Sequence, residues 1–172
     1  KQSALNLDGQ SWAEVHDNGS LDMTSAITLE AWVKWDSTDS DTGILGRYET
    51  TGDKRSVMLV HHSTGVLRFY TSPNGSTTYT VTNTQTLTDG EWYHVVGTND
   101  GSTLKIYVNA QAPDSDTGST IYANDIPLEI GRYNQDDTKS TSKPIAQPRI
   151  YNRALTASEV QKNYNAGKNI YS

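Results

Sequence analysis

Short strand-forming runs recur along the whole chain, each closed off by turn residues, and this recurrence most constrains what the chain can fold into. The runs are ALNLD (4–8), ITLEAWVKW (27–35), GILGRY (43–48), KRSVMLVH (54–61), GVLRFYT (65–71), TTYTVT (77–82), WYHVVGT (92–98), TLKIYVN (103–109), PLEIGR (127–132) and IAQPRIY (145–151). Turn clusters such as SPNGS, TNDGST and PDSDTGST separate them. Many short strands at this spacing argue for an all-β sandwich or jelly roll. Pro148 inside the last run marks an edge or a bulge, because proline cannot donate to a ladder.

One helix is expected near the C-terminus. In LTASEVQKNYNAG, Thr156 and Glu159 form a capping box, and Leu155 and Val160 are spaced for a hydrophobic staple. Gly167 is placed to close the helix, so a short helix is expected over 157–165. With 172 residues and no visible linker, the chain reads as a single domain over 1–172. No run approaches the roughly 18 apolar residues that span a membrane. A net charge of −6 without a basic stripe argues against a nucleic-acid partner. Cysteine is absent, which excludes disulfides and thiolate chemistry. Ten tyrosines against one phenylalanine suit half-wet rings, as at extracellular binding surfaces.

Within ITLEAWVKW, strand alternation puts Ile27, Leu29, Ala31, Val33 and Trp35 on one face and Thr28, Glu30, Trp32 and Lys34 on the other. Three segments together resemble a known family. ITLEAWVKW resembles the early strand of laminin G-like domains, DGEWYHVVGTNDGSTLKIYVNA their central hairpin, and IAQPRIYNRALTASEV their closing strand and helix. The chain is thus similar to the laminin G-like, pentraxin-like branch of the concanavalin A-like lectin/glucanase superfamily. The resemblance implies a jelly roll of two antiparallel sheets with one short C-terminal helix. It also makes Trp32 and His94 scaffold, in which case Glu30, beside Trp32, must find a buried partner. Trp35 ends its strand before a loop and stays open between core and ligand contact.

The resemblance does not fix one function, because the fold hosts lectins, adhesion modules and glycosidases. Glucanase relatives carry a Glu-x-Asp-x-x-Glu motif, and none of Glu14, Glu30, Glu49, Glu91, Glu129 or Glu159 sits in one. Retaining hydrolysis needs two carboxylates about 5 Å apart. The YNQ at Tyr133–Gln135 matches a lyase motif in letters but has no Gln-x-His companion. No enzyme is expected. His61 and His62 point to opposite faces and cannot share a metal.

Calcium is a candidate cofactor. Relatives often hold a structural calcium between the first strand and the closing one, and Asp8 matches the first half of that site. Ala146 and Gln147 replace the acidic pair of the other half. DSDTG occurs at 39–43 and 114–118, and Asp-x-Asp-x-Gly opens many calcium loops, so Asp39 and Asp41 are further candidate ligands. A turn rich in Asp, Ser and Gly is the favoured reading of both DSDTG segments, because these residues make turns cheaply. Ala110 and Gln111 replace the glycine expected after Asn109, which suggests a loosened hairpin there.

If strands alternate in direction, loops 36–41, 62–64, 83–91 and 110–118 gather at one end. Loops 49–53, 72–76, 99–102 and 133–144 gather at the other. The second end collects Arg47, Tyr48, Glu49, Asp53, Arg55 and Tyr70, together with Asn74, Arg132, Tyr133, Asn134, Asp136 and Asp137. Sugars are bound by ring faces and by planar amide, carboxylate and guanidinium groups. The leading expectation is therefore a non-catalytic module that binds a polysaccharide or glycan through Arg47, Tyr48, Arg55, Tyr70, Arg132, Tyr133, Asn134 and Asp136, with Trp35 as a further contact. The alternatives are a phage or cell-surface adhesion or structural module making protein contacts and, least favoured, a polysaccharide lyase or glycosidase. Either way the protein is expected outside the cell, at a cell surface or on a virion, and within a multidomain parent.

Overall fold

The computed structural model describes residues 3–39 and 41–171. Among the described residues the regular structure comprises eleven strands, one α-helix and two short 3-10 turns. In chain order the strands and helix are β1 (Ala13–Val15), β2 (Ile27–Lys34), β3 (Thr42–Arg47), β4 (Val57–His62), β5 (Val66–Thr71) and β6 (Tyr79–Thr82), then β7 (Trp92–Asn99), β8 (Thr103–Val108), β9 (Asp114–Thr117), β10 (Leu128–Ile130), β11 (Ile145–Tyr151) and α1 (Ala157–Tyr171). They form a six-stranded sheet, β1-β10-β3-β4-β5-β6, and a five-stranded sheet, β11-β2-β7-β8-β9. All pairings are antiparallel. The architecture is the expected jelly-roll sandwich.

The inner faces follow strand alternation. Leu29, Ala31 and Val33 meet Leu59, Leu67 and Phe69 in the main core. Gly97 is required there: a Cβ would lie 2.4 Å from the Phe69 ring. Trp35 belongs to this core too. Its ring centroid is 4.0 Å from that of His61, and it is buried. Of the two places open to Trp35, the structure therefore puts its ring in the core.

The outer face of the five-stranded sheet carries Trp32, as the resemblance implied, and α1 covers it. Trp32 stacks on Tyr164 at 5.7 Å and packs against Tyr171 at 5.2 Å. Glu30 does find partners. Its carboxylate accepts from Arg149 (2.5 Å), Asn163 (2.8 Å) and His94 (3.1 Å). Burial opposes its charge, but the bonds from His94, Asn163 and Arg149 outweigh that and hold its pKa below the usual carboxylate range.

The capping box forms: Glu159 N–H donates to Thr156 Oγ1 (3.3 Å), and Thr156 N–H donates to Glu159 Oε2 (2.9 Å). The helix, however, runs to Tyr171 rather than 165. Gly167 does not end it. Gly167 is buried against Trp32, where a Cβ would meet the indole Nε1 at 2.5 Å.

Four other expectations meet a specific outcome. ALNLD contributes only a bridge between Leu5 and Ile145. Pro148 does sit at a bulge, where the β11 register shifts and Gln147 has φ +47°. The hairpin after β8 is tight, not loose: Asn109 and Ala110 both have positive φ (52° and 56°), as a type I′ turn requires, and Gln111 N–H donates to Val108 O at 3.1 Å. Residues 114–117, inside the second DSDTG, form edge strand β9.

Candidate functional site

The outer face of the six-stranded sheet gathers most of the expected tyrosines. Alternation turns Met58 and Val60 of β4 outward, and the register sets Met58 beside Tyr70 and Val60 beside Arg68. Tyr48 follows β3, and Tyr133 arrives on the turn after β10. Together Tyr48, Met58, Val60 and Tyr133 make a second apolar cluster, with Tyr70 packed against it. The Tyr48 ring lies 5.8 Å from Tyr70 and 6.1 Å from Tyr133, the latter edge-on. Offset and edge contacts of this kind favour ring pairs.

These rings differ in what they offer. Tyr48 and Tyr133 are buried at 8% and 9% exposure, whereas Tyr70 is half-buried. Burial raises the Tyr48 hydroxyl above its ordinary pKa, and the Arg55 guanidinium opposes that. Burial and then the Asp41 carboxylate push the Tyr133 hydroxyl well above its ordinary value. Both phenols therefore remain neutral donors at any physiological pH. Arg55 also donates to Gly75 O (3.2 Å), Ser76 O (3.1 Å) and Asp53 (3.2 Å).

Arg68 belongs to the same face and was missed from sequence. Its Nη1 donates to the Tyr70 hydroxyl at 3.3 Å, and its Nε has no partner among the described residues. The signal was available, since Arg68 lies two residues before Tyr70 and must share its face. Thr80 and Thr82 of β6 flank these residues, half-buried.

The turn carrying Tyr133 is tied to its neighbours. Asn134, at φ +65°, accepts from Thr50 N–H (2.7 Å) and Thr50 Oγ1 (2.9 Å), and its own N–H donates to Tyr48 O (2.9 Å). Asp136 caps the 3-10 turn at 137–139 by accepting from Thr138 N–H (2.9 Å). The Thr138 hydroxyl and N–H hold its carboxyl below the usual range. Asn134 and Asp136 thus build the loop that holds Tyr133. The segment 133–144 does not stay at one end as expected. It starts beside Thr50 and then runs to the opposite end, where Lys139 pairs with Asp41 (2.6 Å) and Lys143 with Asp36 (2.7 Å).

Two expected arginines are taken by the scaffold. Arg47 is buried, and its guanidinium donates to the carbonyls of Leu21, Asn124 and Ile126 and to the carboxylates of Asp17 and Asp22. No donor is left for a ligand. Arg132 is buried between Glu129 (2.5 Å), Asp137 (2.9 Å) and the Trp12 ring, whose centroid lies 3.5 Å from its guanidinium carbon. Strand β1 sets Glu14 directly opposite Glu129. Arg132 bridges both members of this facing pair (4.0 and 2.5 Å).

The metal candidates do not converge. Asp8 accepts from Gln10 N–H at 3.0 Å. Asp39 accepts from the Thr42 hydroxyl (3.3 Å) and the Thr141 hydroxyl, and Asp41 pairs with Lys139. In the second DSDTG, Asp114 accepts from Thr84 N–H and its hydroxyl, both at 2.8 Å. Among the described residues no three histidine, aspartate or glutamate side chains come together at one point.

With this geometry in view, the family can be stated. A laminin G-type model of the concanavalin A-like lectin/glucanases superfamily matches residues 7–161, and the chain belongs to that superfamily. Among solved structures it is similar to the binding domain of paraclostridial mosquitocidal protein 1 (TM-score 0.71, 19% identity, covering 95% of this chain and 45% of that one). It is also similar to the binding domain of botulinum neurotoxin serotype G (TM-score 0.70, 17% identity, covering 95% and 42%). A third neighbour is domain 4 of AbnA, a GH43 extracellular arabinanase from Geobacillus stearothermophilus solved with arabinotriose (TM-score 0.71, 20% identity, covering 92% and 75%). The chain spans less than half the length of the two toxin domains. At these identities the likeness is one of fold. No curated protein matches the sequence. Among the described residues no helix is long and apolar enough to cross a membrane.

Proposed function

We propose that this chain is a non-catalytic carbohydrate-binding module whose ligand face is the outer surface of β4–β6. One observation carries the reading. Tyr70 and Arg68 stand together on a sheet face that α1 does not cover, with Tyr48 and Tyr133 packed in the same cluster and Arg55 beside Tyr48 at its edge. The half-buried Tyr70 ring offers a surface for sugar C–H groups, and the two guanidinium groups suit vicinal hydroxyls or a carboxylate. Fold neighbours solved with arabinotriose and with SialylT support the ligand class. The reading places the protein outside the cell, as one module of a longer protein. Hydrolysis is not assigned: Glu14 and Glu129, which face each other across β1 and β10, are bridged by Arg132.

A glycan array followed by calorimetry tests this. Tyr70→Ala and Arg55→Ala are the informative variants, since Tyr48 and Tyr133 are buried and their removal confounds binding with folding. Each is expected to weaken a positive glycan by about tenfold, the equivalent of ~1.4 kcal/mol. An array with no positive glycan, or affinity unchanged in both variants, overturns the proposal.

A further inference from the structure

A separate cleft of about 240 Å³ lies on the opposite side of the molecule, between the start of β7 and the C-terminal half of α1. Its walls are aromatic. The rings of Trp92 and Tyr171 sit 5.1 Å apart, Tyr164 stacks on Trp32, and Trp92 and Tyr164 are each half-buried. The buried indole Nε1 of Trp32 has no hydrogen-bond partner among the described residues.

The rim is polar and uncommitted. Glu91 is exposed, and its carboxylate has no ion-pair or hydrogen-bond partner among the described residues. Lys168 makes no salt bridge among them and lies 6.0 Å from the Tyr164 ring centroid. Asn109 uses its Oδ1 to accept from His94 N–H (2.9 Å), which leaves its amide donors free to face a ligand. Here one acid, one base and one amide ring an aromatic-walled cleft, a combination that fits a ligand with an apolar face and several hydroxyls. The opposite charges of Glu91 and Lys168 balance, which favours a neutral ligand over an ionic one.

We propose that this cleft is a second, independent sugar-binding site for a neutral pyranose or furanose unit, making the module bivalent across its two faces. The ligand class rests on the carbohydrate reading above, whereas the location does not. Two sites on one module raise avidity for a polymer without any new contact.

The test uses the intact chain labelled with nitrogen-15. The four indole N–H signals, from Trp12, Trp32, Trp35 and Trp92, are assigned with single Trp→Phe variants. Arabinotriose, xylotriose, cellotriose and maltotriose are titrated separately, with N-acetyltryptophanamide as a non-sugar probe. The expected result is a saturable shift of the Trp92 signal with at least one sugar. It persists in Tyr70→Ala and weakens about tenfold in Glu91→Ala and in Lys168→Ala, two exposed positions whose truncation leaves the fold intact. A Trp92 response alongside array binding that Tyr70→Ala leaves unchanged refutes the β4–β6 face while supporting the cleft. No shift with any sugar overturns the inference. So does a shift that disappears in Tyr70→Ala, or a response to N-acetyltryptophanamide alone.

Discussion

Gly167→Ala pits two well-known effects against each other at one position. Alanine inside a helix is favoured over glycine by about 1 kcal/mol, so propensity alone makes the substitution stabilising. Packing gives the opposite sign. The new methyl would lie 2.5, 2.7 and 2.8 Å from Nε1, Cε2 and Cζ2 of Trp32. That indole cannot swing away, because His94, Tyr164 and Tyr171 all pack on it at ring-centroid distances of 5.1, 5.7 and 5.2 Å. Overpacking of this kind costs about 1–3 kcal/mol, and three contacts with a ring fixed by its neighbours belong at the upper end. Subtracting the propensity gain leaves a net loss of about 1–2 kcal/mol, or roughly 2–8 °C in Tm for a domain of this size. Thermal melts of wild type and Gly167→Ala measure it directly. Trp32→Phe in the same chain relieves the clash, so a double-mutant cycle should show favourable coupling. A Tm that rises in Gly167→Ala, or zero coupling to Trp32, refutes the claim that close approach is what requires this glycine.

Three further outcomes are expected. Glu159 is held down to about 2 by the Arg153 guanidinium and by Thr156, against 4.5 in a free chain, so the unfolded state takes up its proton first. The stability it contributes is complete above 4.5 and is lost as pH falls toward 2. The Tm drop measured across that window should therefore be smaller in Glu159→Gln. Arg47→Met strands three buried carbonyls, those of Leu21, Asn124 and Ile126, and should cost about 3 kcal/mol by urea unfolding. A change below roughly 1 kcal/mol contradicts its role as a strut. Calcium should leave the Tm where chelator does, because Asp39, Asp41 and Asp114 are already committed to protein donors. A calcium-dependent rise of several degrees reverses that reading.

What the sequence conveyed well was face and neighbourhood. Alternation in ITLEAWVKW separates the residues of the inter-sheet core from Trp32 and its buried acid, and loop sorting brings Tyr48, Tyr70 and Tyr133 together. It failed where a residue's role depends on how a layer ends. Arg47 shares the loop end with Tyr48 yet turns inward to close the sandwich, because Leu21, Asn124 and Ile126 present carbonyls there from distant segments. Arg132 looked free because nothing nearby in sequence announces Trp12, more than a hundred residues away. Trp35 was ambiguous for a similar reason: its place in the core depends on His61 across the sandwich. Gly167 reads as a helix stop until its neighbour is known to be an indole.

Strand β9 has a consequence for how copies of this protein behave toward one another. It is the outermost strand of its sheet, so one row of backbone donors and acceptors faces outward with no strand beside it. Such a row is a template for a second chain to dock by simple strand addition. Its sequence, DSDT, places two carboxylates along a four-residue edge, with Asp116 exposed. An approaching copy would have to bring its own two acids against them. At the other rim, the bulge at Gln147 and Pro148 interrupts β11, and the Leu5 bridge occupies Ile145. The DSDT segment thus lines the β9 edge with carboxylates, and charge of that kind disfavours strand addition.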